Sequence, residues 1–275
     1  MNGLEHATPG VVILILIALM MLYRELYRID LGYKHHIRRI PGVDAIERAV
    51  GRCAEQGRGV SFTTALTDLG PVLYACLGVL QGIAKKVAQY KLKLVVPQYS
   101  PEAMAVVEDT VRQAYSDVGR GSMFDPDSIR FLSSEQFAFA SGYMGLMHRE
   151  KPGAAFLFGV FAAESLVLSE AGQQVGAQQV AASISPEQVA FFICTCDYTL
   201  IGEELFGAAA YLSRDNVQVA TVAAQDRFKL LIVVLIVTGV FVATVSAVVP
   251  SLSAFKPLDI LTRDWDRLFS SYSPK

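Results

Sequence analysis

The strongest feature in the hydrophobic pattern is the stretch 230–249, LLIVVLIVTGVFVATVSAVV, inside an uncharged run that lies between Lys229 and Lys256. About 20 apolar residues rising about 1.5 Å each match the roughly 30 Å hydrocarbon core of a bilayer. A helix apolar on every side also has no solvated face. The pattern predicts a transmembrane helix here. A second run, 11–23 (VVILILIALMMLY), is uncharged for 17 residues counted from Ala7, the short end for a span. It leads directly into Arg24, Glu25 and Arg28, with no basic leader and no small-x-small cleavage site. An uncleaved membrane helix is therefore expected rather than a signal peptide.

Between the two runs the pattern alternates. Strands are expected at 60–63, 91–96, 129–132, 155–161, 178–182 and 190–196, and helices at 43–56, 70–90, 101–118, 134–148, 164–174 and 200–212. Pro71 suits a first helical turn, and Ser100 is placed to cap the helix that starts at Pro101. Strands apolar on both faces, alternating with helices, argue for a parallel sheet covered on both sides. The expected fold is a Rossmann-like, three-layer α/β domain with a mostly parallel sheet, flanked by two transmembrane helices. The chain then divides into an outside tail 1–10, a membrane helix 11–23, a basic juxtamembrane linker 24–42, the α/β domain 43–213, a linker 214–229, a membrane helix 230–249 and a tail 250–275. Within that tail, 257–269 is amphipathic and suits either a membrane surface or a neighbouring subunit.

Charge adds an orientation. Of the 24 Lys and Arg, none precedes the first run and only Lys256, Arg263, Arg267 and Lys275 follow the second. The excess between the runs predicts a cytoplasmic central domain with both termini outside. Lys34, Arg38 and Arg39 are candidate lipid-headgroup contacts, with simple topology signalling the favoured explanation of the same charges. A net charge of -2 gives no basic footprint for nucleic acid. The four cysteines, Cys53, Cys76, Cys194 and Cys196, are too sparse for a disulfide framework and fit free thiols in a reducing compartment. No histidine is spaced with them for a metal site, so neither a metal nor a cofactor is expected.

In a parallel α/β sheet, ligands bind at the carboxyl ends of strands. The expected strand ends bring Glu135, then Glu164 and Ser165, then Asp197, Tyr198, Glu203 and Glu204. These form a candidate ligand site for a cation, an amine or a polar molecule held by hydroxyls and helix N-terminal amides. The competing explanation is capping of helix N-termini. The chain has no Gly-x-Gly-x-x-Gly, no phosphate-loop motif and no Gly-x-Ser-x-Gly, so no catalytic residue is nominated and an enzyme is not favoured.

The segments 158–181 (FGVFAAESLVLSEAGQQVGAQQVA) and 196–213 (CDYTLIGEELFGAAAYLS) resemble a family of uncharacterised prokaryotic integral membrane proteins. In that family, similar Ala-Glu-Ser-Leu and Asp-Tyr-Thr-Leu-Ile-Gly-Glu-Glu segments precede the last membrane helix. The resemblance implies a cell-membrane protein with a cytoplasmic α/β domain and carries no activity. The functional expectation is a membrane-anchored scaffold that self-assembles into a homo-oligomer. Its warrants are the Ala-rich helix 202–212, the run 217–224 and the Gly239, Ala243, Ala247 row of small residues, which lets helices approach closely. The expected partners are the lipid bilayer and further copies of the chain. The alternative is a tethered small-ligand or cation-binding α/β module.

Overall fold

Alternation along the strands sorts side chains between two cores on opposite faces of one sheet. In the computed structural model, which describes residues 9–31 and 41–248, helix α1 (Pro9–Asp30) comes first. The chain then alternates through α2 (Pro41–Gln56), β1 (Val60–Ala65), α3 (Pro71–Tyr90), β2 (Leu94–Gln98), α4 (Pro101–Asp117) and β3 (Ile129–Phe131). It continues through α5 (Gln136–Glu150), β4 (Ala154–Val160), α6 (Ser165–Gln174), β5 (Gln178–Ser183), α7 (Pro186–Thr195), β6 (Tyr198–Ile201), α8 (Glu204–Ser213) and α9 (Asn216–Val248). The six strands pair in parallel in the order β3-β2-β1-β4-β5-β6. That is the order of a doubly wound α/β sheet, with its switch point between β1 and β4.

On one face, Phe62, Phe156, Phe158, Val180 and Leu200 pack with α2, α3, α4 and α8, and the Phe62 and Phe158 rings stack at 5.6 Å. On the other, Ala155, Leu157 and Ala181 pack with Phe139 and Tyr143 of α5, Leu168 of α6 and Phe192 of α7. Odd and even positions of β4 thus serve different cores, as the two-residue period of a strand requires. Burying a large apolar side chain contributes roughly 1.5–3 kcal/mol, so each layer is held independently. Pro71 opens α3, and the Ser100 hydroxyl accepts the Ala103 N–H at 3.4 Å to cap α4. At Gly82 a Cβ would come within 2.7 Å of the Leu212 Cβ. That absence of a side chain lets α3 and α8 approach closely.

The chain forms two units, His36–Val219 and a second made of Met1–His35 with Ala220–Lys275. The first holds the sheet and runs slightly beyond the expected 43–213. In the second, the buried carboxylate of Glu25 pairs with Arg24 at 3.0 Å and with Arg227.

Several sequence expectations are corrected. Among the described residues, no helix is long and apolar enough to cross a membrane. In α1 the uncharged part, Pro9 to Tyr23, spans about 22 Å before Arg24, Glu25 and Arg28 follow in the same helix. That part falls short of the roughly 30 Å core. The lack of a membrane-crossing helix among the described residues overturns the two flanking transmembrane helices, the integral-membrane assignment and the two-pass inner-membrane placement. The expected linker 214–229 is helical, because α9 starts at Asn216. The expected strand 190–196 is, as far as Thr195, the second half of α7, and the strand is β6, which starts at Tyr198. The Ala-rich helix is not a surface: Leu205, Ala208, Ala209 and Ala210 of α8 are buried. The segment 257–269 lies outside the described residues.

Candidate functional site

The carboxyl edge of the sheet is built from the loops that enter α3 to α8. At the switch point, the Thr63 hydroxyl donates to the Pro97 carbonyl at 3.1 Å, and the Thr64 hydroxyl donates to Oε1 of Gln98 at 2.9 Å. The Thr67 hydroxyl donates to the Thr64 carbonyl and accepts the Val160 N–H at 2.8 Å. Gly159, at φ 141°, has no room for a Cβ, which would run into Thr67 and the Thr64 carbonyl. At the β1/β4 crevice, where a doubly wound sheet usually takes its ligand, Thr67 and the Thr64 carbonyl therefore close onto Gly159.

Glu164 is fully buried, and its carboxylate accepts the Ala162 N–H at 3.0 Å and the Gln136 side-chain amide at 2.6 Å. The Ser165 hydroxyl donates to Oε1 of Gln188 at 2.5 Å. Glu204 accepts the Ile201 N–H at 3.0 Å. These three side chains stitch loops together, which is the capping role weighed against a ligand role. Glu135 and Glu203 are at the same edge and exposed.

Asp197 and Tyr198 are elsewhere. They stand at the start of β6, at the amino edge, because the strand expected to precede them is helix α7. Oδ2 of Asp197 accepts the Gln179 N–H at 2.7 Å, and the Tyr198 ring lies 5.7 Å from the Arg48 guanidinium carbon. The seven proposed ligand residues thus split between opposite ends of the sheet. Of the small-residue row, Gly239 has open space where a Cβ would be. The Ala243 and Ala247 side chains and the cations Lys34, Arg38 and Arg39 lie outside the described residues.

The amino edge carries features that sequence reasoning missed. Arg58 donates to the carbonyls of Lys151 at 3.1 Å, Pro152 at 2.8 Å, Val175 at 2.9 Å and Gly176 at 3.4 Å. One guanidinium thereby satisfies the chain where it leaves both α5 and α6. Its place between Gly57 and Gly59, just before a buried strand, was the available signal. Beside it is a cavity of about 540 Å³, lined in part by Arg52, Gln56, Gln173, Gln178, Cys194 and Asp197. Oε1 of Gln178 is buried without a protein partner among the described residues. Burial pushes the Cys196 thiol up to about 12 and the Cys53 thiol up to about 11, so neither is a ready nucleophile at neutral pH. Among the described residues, no group of three or more His, Cys, Asp or Glu is arranged to hold a metal ion.

Above the stitched layer, the carboxyl edge also exposes apolar side chains. Leu69, Tyr74, Phe137, Leu166, Ile184 and Ile201 come from five of its six strand-to-helix passages and are 41–72% exposed. Around them stand Asp68, Glu102, Glu135, Glu187, Glu203 and Glu204. None of the loops entering α3 to α8, nor the first turns of those helices, carries a Lys or Arg.

No curated protein and no solved structure matches the chain. One family matches residues 3–253, described as Domain of unknown function (DUF6754), and the description names neither a source nor a membrane. The chain belongs to that family.

Proposed function

We propose that the chain works by assembling with further copies of itself, and that the carboxyl edge of its α/β sheet is the docking face. The observation that carries this is the set of exposed apolar side chains on that edge, Leu69, Tyr74, Phe137, Leu166, Ile184 and Ile201. Large apolar side chains left exposed together on one edge of a domain mark interaction sites. The polar groups that would otherwise make a pocket there are spent on internal hydrogen bonds. Exposed Leu16, Leu19 and Met20 of α1, and Leu230, Val233 and Val237 of α9, add apolar surface that favours association. This reading gives the chain a structural role and no reaction of its own. The test is the mass of the full chain by light scattering, in buffer and in mild detergent. A mass that is a multiple of 29.9 kDa is expected. It should fall to the monomer value in a Phe137→Ser, Leu166→Ser double variant that keeps its thermal unfolding midpoint. A wild-type monomer under every condition would refute it.

A second reading, a small-ligand module, is favoured by the amino-edge cavity. Its amides, its guanidinium and the unpartnered Gln178 Oε1 suit a neutral or zwitterionic hydrogen-bonding molecule rather than a metal ion. Thermal-shift measurements against amino acids, sugars and nucleosides test it. No stabilisation by any of these classes removes it.

A further inference from the structure

We infer that the copies dock head to tail: the carboxyl edge of one sheet sits on the centre of the amino edge of the next. This rests on the assembly reading above and adds which surface the docking face meets. The argument is electrostatic. The carboxyl edge has exposed acidic residues at the entry to five of the six helices α3 to α8, namely Asp68, Glu102, Glu135, Glu187 and Glu203, with half-buried Glu204 beside the last, and no cation in those connections or first turns. A two-fold dimer would place that face on itself. Every exposed carboxylate would then meet its own kind as water is excluded, and like-charge juxtaposition opposes such pairing. The apolar patch needs a cover, and the cover must bring cations.

The chain has such a surface at the other end of the same domain. Where β2, β1 and β4 begin, Lys91, Lys93, Arg149 and Lys151 are all exposed. They are held close together. Arg58 bonds the Lys151 carbonyl, and the Val60 N–H bonds the Lys93 carbonyl at 2.8 Å. Glu150 offsets part of this charge through its bond to Lys93 at 2.6 Å, leaving Lys91, Arg149 and Lys151 in excess there. Lys91 and Lys151 are each the left-handed cap of a helix, at φ 57° and 44°, so their positions are set by backbone geometry. Exposed Tyr90 beside Lys91 adds an apolar contact. The result is a heterologous interface, acidic and apolar on one side and basic on the other, which propagates as a ring or a filament.

The test uses two full-length variants. One loses the carboxyl-edge contacts (Phe137→Ser with Leu166→Ser), and the other loses the amino-edge cations (Lys91→Glu with Lys151→Glu). A Lys91→Ser, Lys151→Ser pair guards against misfolding from charge reversal, and unfolding midpoints check all three. Each variant alone is expected to be monomeric. An equimolar mixture of the first two is expected to form dimers and no larger species, because each supplies the face that the other lacks. Raising salt from about 0.05 to 0.5 M should weaken wild-type assembly by about tenfold or more. If the wild type assembles, the carboxyl-edge variant does not, and both amino-edge variants assemble normally, the head-to-tail arrangement is overturned while self-assembly stands. A mixture that fails to recombine overturns it as well. A wild type that is monomeric throughout sinks the assembly reading itself, and would leave a basic partner of another kind as the cover for the acidic face.

Discussion

The side-chain amide of Gln136 donates to Oε2 of Glu164 over 2.6 Å, joining the first residue of α5 to the loop between β4 and α6. The same carboxylate closes onto the Ala162 N–H two residues back. Glu164 is therefore a buried acceptor with its donors supplied by the fold. Glu164→Ala should lower stability by about 1.5–3 kcal/mol, because it removes a charged acceptor from two part-buried donors at once. Gln136→Ala should cost less, since it leaves the local bond to Ala162 intact. Urea unfolding of the two variants checks this. An Ala variant of Glu164 with wild-type stability would mean that the carboxylate is held ready for something outside the chain.

The alternation of strands and helices was legible because buried parallel strands tend to be short apolar runs, a form that β4 and the start of β2 have outright and that β1 and β5 keep only at their centres, among buried Ser, Thr and Gln. The exchange of α7 and β6 was not. Ala190 to Cys196 is rich in Phe, Ile and Thr, which favour strands, yet the buried residues of α7 are Phe192 and, four and three positions before it, Gln188 and Val189. In β6 only Leu200 is buried, so this edge strand has almost no hydrophobic signal. That single exchange moved Asp197 and Tyr198 to the wrong end of the sheet. The stitching of Glu164 by Gln136, of Ser165 by Gln188 and of Thr64 by Gln98 was also invisible, because each bond joins residues 23 to 34 positions apart. Local pattern reports which residues are polar and leaves open whether a distant partner already uses them.

The plug at the β1/β4 switch point makes Gly159 a sensitive position. At φ 141° an L side chain is strained wherever it points, and here it would also strike Thr67 and the Thr64 carbonyl. Gly159→Ala should destabilise the chain by about 1–3 kcal/mol or more, from strain and forced repacking. The urea midpoint reports it, and a midpoint equal to wild type would show that the crevice is looser than its threonines indicate.

Glu150 gives the fold an acid-sensitive contact. Its hydrogen bond to Lys93 at 2.6 Å, joined by Arg130 at 3.0 Å, outweighs burial and holds its carboxyl below the ordinary value. A depressed folded-state pKa contributes stability above the unfolded value of about 4.3, and that contribution is lost as pH falls through the folded value. Glu150→Gln should therefore be less stable than wild type near pH 7, and the gap should close below about pH 4. Unfolding midpoints across that range decide it. A gap that stays constant with pH would show that the contact contributes by packing instead.

The position of Cys194 tests the helical assignment of α7 directly. In a strand, Cys194 and Cys196 would point to the same face and meet reagent together. In the structure Cys194 is an exposed residue of the helix, whereas Cys196 follows its end, and burial pushes the Cys196 thiol up to about 12. Cys53 and Cys76 are buried, and burial raises both. Iodoacetamide at about pH 8 should modify Cys194 alone in the native chain, because alkylation proceeds through the thiolate and needs access. Cys194→Ser should abolish native labelling, and unfolding should expose the remaining three thiols. Cys194 also lines the amino-edge cavity, so a molecule that slows its labelling without shifting the unfolding baseline of Cys53 and Cys76 would identify an occupant of that cavity. Equal native labelling of Cys194 and Cys196 would restore the strand geometry for this segment and return Asp197 to the carboxyl edge.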